Sequence, residues 1–81
     1  MYWDVTLVQA VSNRCIYVEL KNGKQGFFDV SKYWDKGVLK ELQNPLYFKQ
    51  VMVTYGNVSW PNGQDIAPET LLDNLQPAPA L

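Results

Sequence analysis

The order of apolar and polar positions in this chain changes period several times, and each change marks an element. Residues 2–10 alternate: Trp3, Val5 and Leu7 lie between Asp4, Thr6 and Val8, with β-branched and aromatic types dominating. This period of two predicts a strand, with Trp3 in the core. Ser12, Asn13 and Arg14 then form a polar turn.

Residues 15–21 and 24–30 flank Asn22-Gly23, the strongest short-range hairpin signal in the chain. A two-residue loop would set Lys21 against Lys24 and Ile16 against Asp29. A three-residue loop over 21–23, with Gly23 left-handed in a bulge, faces Ile16 to Phe28 instead. It also gathers Ile16, Val18, Leu20, Phe28 and Val30 on one face, so the bulged form is the better fit.

The stretch 31–50 has a different character. Ser31 reads as the N-cap of a short turn through Asp35, ended by Gly37. Val38, Leu39 and Leu42 suit one or two helical turns, and Asn44-Pro45 is a cap-then-proline start for a short helix over Leu46, Tyr47 and Phe48. Pieces this short must lean on a sheet.

A second hairpin is expected from 51–55 and 58–60. Gly56-Asn57 as a type II′ turn would place Val53 opposite Trp60 in the core. Pro61-Asn62-Gly63 is a further turn. Pro68 starts a last helix at its first position, Glu69 suits the positive helix end, and Leu71, Leu72 and Leu75 form its apolar face. The residues after Gln76, rich in proline and alanine, read as a loose tail.

The pattern as a whole predicts one α+β domain over residues 1–76 and a flexible tail over 77–81. Its architecture is two-layer: a mainly antiparallel sheet of about five strands, from the N-terminal strand and two hairpins, with short helices and a C-terminal helix. A length of 81 residues fits one domain. A hydrophobic share of 47% supports a core and excludes a disordered chain.

The net charge is −1, but it is unevenly placed: all seven basic residues lie at or before Lys49, and only Asp65, Glu69 and Asp73 are charged after it. Lys32 and Lys36, interleaved with Tyr33 and Trp34, loosely resemble a nucleic-acid face. Lysines at sheet edges are more often a protection against aggregation, so nucleic acid is the alternative and not the leading partner. Trp34, flanked by charges in an irregular segment, is either a cap on the sheet edge or an exposed interface anchor.

Catalytic chemistry has little to stand on. There is no histidine, hence no His-dependent triad and no His metal ligand. The single cysteine, Cys15, cannot form an internal disulfide and reads as a small buried hydrophobe. No glycine-rich phosphate loop is present. Asp65 and Glu69, four apart, could pair for acid–base or ligand chemistry, but turn bonding by Asp65 and dipole compensation by Glu69 explain them more simply. The expectation is therefore no enzyme, no cofactor and no metal. Without a signal peptide or an apolar span, the expected location is cytoplasmic, away from membranes.

The start Tyr2-Trp3-Asp4-Val5, the run Gly26-Phe27-Phe28-Asp29-Val30-Ser31 after Asn22-Gly23, and above all Trp60-Pro61-Asn62-Gly63-Gln64-Asp65-Ile66-Ala67-Pro68-Glu69-Thr70-Leu71 carry a resemblance. The chain resembles, over residues 2–75, a widespread family of small bacterial proteins known only as a domain of unknown function. The resemblance implies a compact antiparallel sheet with short helices, and no established catalytic residues. Some relatives carry a helix-turn-helix domain after this one, and many are encoded beside another small protein, which implies a regulatory or antitoxin-like partner. No such domain follows here, so a role in transcription would run through that partner. The family often has aspartate at position 67, where Ala67 cannot cap the last helix.

The expected function is a non-catalytic protein-interaction module. The residues singled out for contact are Trp34, Tyr33, Lys32, Lys36, Asn62, Asp65 and Glu69, with a homodimer through a sheet edge a further possibility. Nucleic-acid binding is the alternative, and small-ligand binding the second.

Overall fold

The computed structural model describes residues 3–79. The α+β class holds, but its strands form two three-stranded antiparallel sheets instead of one sheet of five. The first contains β1 (Val5–Ala10), β2 (Cys15–Leu20) and β3 (Gln25–Asp29) in that order. The second contains β4 (Met52–Thr54), β5 (Asn57–Ser59) and β6 (Asp65–Ile66), also in sequence order. Between the sheets in sequence lie 3-10 turns at Val30–Lys32 and Gly37–Gln43 and the helix α1 (Pro45–Phe48); α2 (Pro68–Leu72) follows β6.

The first hairpin forms as its pattern dictates. Ile16 faces Phe28, and the Leu20 amide donates to Lys24 O (2.8 Å) while the Gly23 amide donates to Leu20 O (3.0 Å). Gly23 has φ +92°, so the loop is the three-residue bulged form. Ile16, Val18, Leu20, Phe28 and Val30 are all buried on one face.

Alternation fails in β1. Val5 pairs with Leu20 but Leu7 with Glu19, so Thr6 is an inserted residue. The bulge shifts the frame by one: Val5 is buried, Leu7 turns outward at 38% exposure, and Val8 and Ala10 pack on the core instead. Trp3, expected in the core, precedes the strand and is half-buried.

The second hairpin differs from its expected register. Val53 faces Val58, not Trp60, and the turn residues are Tyr55 and Gly56, not Gly56 and Asn57. Both turn residues have positive φ, +50° and +79°, the signature of a type I′ turn. The Gly56 carbonyl accepts from the Val5 amide (2.9 Å), which ties the turn to the start of β1. A methyl at Gly56 would meet Asp4 Cγ at 2.6 Å, so glycine is required there by space as well as by φ. The loop at 61–63 repeats the geometry of the first hairpin: Trp60 donates to Gln64 O and Gly63 to Trp60 O, both at 3.0 Å. This adds β6, a strand not foreseen, to the second sheet.

Asp29, not Ser31, caps the first 3-10 turn, accepting from both the Ser31 amide (3.0 Å) and hydroxyl (2.6 Å). Gly37 opens the second 3-10 turn with φ +62°. Asn44 caps α1 through the Leu46 amide (3.0 Å), with Pro45 at its first position. Ala67 gives α2 no side-chain cap, and Asp65 does not replace one.

One core joins all parts: Val5, Ile16, Val18, Leu20 and Phe28 from the first sheet, Leu42, Tyr47 and Phe48 from the helical stretch, Val58, Trp60 and Ile66 from the second, and Leu71 from α2. Cys15 is fully buried, as a small apolar residue would be. The segment after α2 is tied down at Gln76, which exchanges both backbone hydrogen bonds with Phe27 (2.8 and 2.9 Å). Gly26 lies beneath this strap, where an added methyl would sit 3.0 Å from Gln76 O and Leu75 Cβ. The edge of β3 is thereby partly occupied. Of the tail expected to be loose, Pro77 and Ala78 line a cleft with Cys15 and Phe27, while positions 80 and 81 fall outside the described residues. Among the described residues, no helix is long and apolar enough to cross a membrane.

Candidate interaction site

The aromatic-basic segment does not act as one surface. Trp34 is half-buried and meets Phe48 edge-on (6.1 Å, 82°), while its carbonyl accepts from Gln43 Nε2 (2.8 Å). It packs against α1 at the margin of the core, which is neither the sheet-edge cap nor the exposed anchor that its sequence context suggests. Tyr33 stacks on Phe28 (5.4 Å, 18°) and keeps 39% exposure. Lys32 and Lys36 are exposed on either side. Only the rim of this segment is free for contact.

Asn62 belongs to a polar clamp. Its Nδ2 donates to both Glu41 carboxylate oxygens (2.9 and 3.0 Å), and its amide donates to the Tyr47 hydroxyl (2.7 Å). That hydroxyl donates to Gln64 Oε1 (2.6 Å), and Gln64 Nε2 donates to Glu41 Oε1 (2.8 Å) and Val38 O (3.1 Å). Gln64 is 2% exposed and every polar atom of its side chain is partnered. The loop thus fastens the helical stretch to the second sheet. Beside it, Trp60 Nε1 donates to Phe48 O (2.9 Å), and its ring lies 5.9 Å from that of Phe48. Sequence reasoning missed Glu41, Tyr47 and Gln64. Only the aromatic Tyr47 carried a signal, as a polar-tipped ring in an apolar helix needing a partner for its hydroxyl.

Asp65 and Glu69 are both exposed and share no hydrogen bond. The expected bonding of Asp65 to amides of its own turn is not formed. No group of three or more His, Cys, Asp or Glu among the described residues could hold a metal ion.

Asp65 instead lines a groove of about 360 Å³ on the outer face of the second sheet, with Met52, Thr54, Tyr55 and Ser59. Alternation places Met52 and Thr54 on the same side of β4, opposite their partners Ser59 and Asn57. Ser59 is almost fully buried and donates its hydroxyl to Thr54 Oγ1 (2.7 Å). At the rim stands Tyr55, 98% exposed and alone among the described non-glycine residues in having positive φ. A left-handed aromatic costs about 1–2 kcal/mol over the ordinary conformations. No side-chain contact of Tyr55 within the fold offsets that cost.

Over residues 5–77 the chain matches the family described as "Protein of unknown function (DUF2442)", and it belongs to that family. No curated protein and no solved structure matches it.

Proposed function

We propose that this DUF2442 member is a non-catalytic protein-interaction module, the small partner in a regulatory or antitoxin-like pair. The observation that carries the reading is Tyr55. The type I′ turn requires a left-handed residue at 55 but not an aromatic one, and a large amphipathic ring held in water there presents a pre-set anchor to a partner. Met52, 39% exposed and on the groove side of β4, adds apolar surface beside it. Trp34, one of the contact residues the sequence suggests, packs half-buried against Phe48, so Tyr55 is the better anchor.

The test is capture of partners from the native lysate by the tagged chain, with and without nuclease, for the wild type and Tyr55→Asn. A stoichiometric protein that survives nuclease and is lost with Tyr55→Asn supports the module. Partners lost on nuclease treatment favour the nucleic-acid alternative. Bare protein in every arm rejects a tight protein partner and leaves small-ligand binding.

A further inference from the structure

The geometry points to a cationic side chain of the partner protein, arginine above all, as the occupant of the outer groove of the second sheet. This rests on the interaction-module reading and names the chemistry of the partner.

The argument is one of complementarity. Asp65 is the only charged group lining the groove, and no Lys, Arg or His occurs anywhere after position 49. Its carboxylate is exposed and takes part in no hydrogen bond within the fold, so both oxygens can accept from a ligand. Ser59 spends its hydroxyl proton on Thr54 Oγ1, so its own oxygen is left as an acceptor only, while Thr54 keeps a proton and a lone pair. The Tyr55 ring is open on its faces, and an aromatic face attracts a guanidinium or ammonium group. Guanidinium supplies five donors and no acceptor, and its planar fork matches a carboxylate and a ring face together. An anionic ligand would meet Asp65 with nothing to offset the repulsion.

The test is an amide-resolved NMR titration of the whole chain with the peptide acetyl-Gly-Arg-Gly-Arg-Gly-amide, against the same peptide with citrulline, the neutral isostere of arginine. The expected result is saturable shifts centred on residues 52–59 and 63–65, with the citrulline peptide about tenfold weaker. Asp65→Asn, at an exposed position whose side chain makes no hydrogen bond in the fold, weakens the arginine peptide by a similar factor. Tyr55→Asn weakens it about threefold while leaving the fold at least as stable. Equal binding of the two peptides, shifts centred on Glu69 and Asp73, or no saturable shift overturns the inference. A lysate partner held equally by wild type and Asp65→Asn overturns it while the module stands. Arginine binding with no lysate partner sinks the module, and with it the assignment of the arginine to a partner protein.

Discussion

The Tyr47 hydroxyl donates to the side-chain oxygen of Gln64 at 2.6 Å, across seventeen residues of sequence and inside the protein. The same oxygen of Tyr47 accepts from the Asn62 amide, so one phenol links α1 to both the loop and the first residue after it. Tyr47→Phe leaves a buried amide oxygen and a backbone amide without this partner. The expected loss is about 1–3 kcal/mol in urea unfolding. Asn62→Ala removes only the exposed bonds to Glu41 and should cost about 1 kcal/mol or less. An equal cost for the two would mean that the clamp is not centred on Gln64.

Trp60→Ala should be the most damaging aromatic change, about 3–5 kcal/mol, because the ring is 2% exposed and its indole nitrogen is bonded to Phe48 O. Trp34→Ala opens one side of the same aromatic row at a half-buried site and should cost clearly less. Partner capture should survive Trp34→Ala, which separates its packing role from that of Tyr55.

Tyr55→Asn should raise stability by roughly 0.5–1 kcal/mol, since asparagine tolerates the left-handed conformation better than tyrosine. A fall in the unfolding midpoint would show that the ring makes contacts worth more than its backbone strain.

Gly26→Ala should loosen the strap. With Gln76 O and Leu75 Cβ each 3.0 Å from the new methyl, the segment must shift, and hydrogen exchange at the Phe27 amide should speed up before that of the central β2 amides. Unchanged exchange at Phe27 would show that the strap yields without losing its hydrogen bonds.

Tyr17 gives the chain a pH signature. Its hydroxyl donates to Glu19 Oε2 (2.7 Å), and that bond, then partial burial, then the carboxylate charge hold the phenol above its ordinary value of 10.0. A raised value in the folded state means that the stabilisation is complete below the unfolded phenol's range and is lost as pH rises through the folded one. Tyrosinate absorbance should therefore include one phenol titrating late, and Glu19→Gln should bring it back toward the ordinary value.

Much of the framework was legible because local signals acted alone. Asn22-Gly23 with its flanking alternation specified loop type, register and buried face together, and Asn44-Pro45 specified α1. The failures have physical causes. The Thr6 bulge leaves no mark in a strand whose residues suit either face, so the alternation places Leu7 one frame out, while Trp3 lies before the strand begins. The turn at Tyr55-Gly56 was displaced because tyrosine is a poor left-handed residue, and the cost that misled the reading is the same cost that marks the site. For Asp65 the sequence favours bonding to its own turn over a pairing with Glu69, and the structure forms neither, because both carboxylates point into solvent. The contacts of Glu41 and Gln64 depend on a chain reversal over more than twenty residues, which no local pattern records.

The polar clamp also bears on how relatives of this chain are compared. The run from Trp60 to Leu71, the easiest stretch to recognise, is largely occupied with closing the interior: Trp60, Gln64, Ile66, Pro68 and Leu71 are all buried. Kinship found through it therefore groups proteins by how they are assembled. Position 55 lies outside that run and outside the core, so such kinship carries no information about the side chain that this chain presents there.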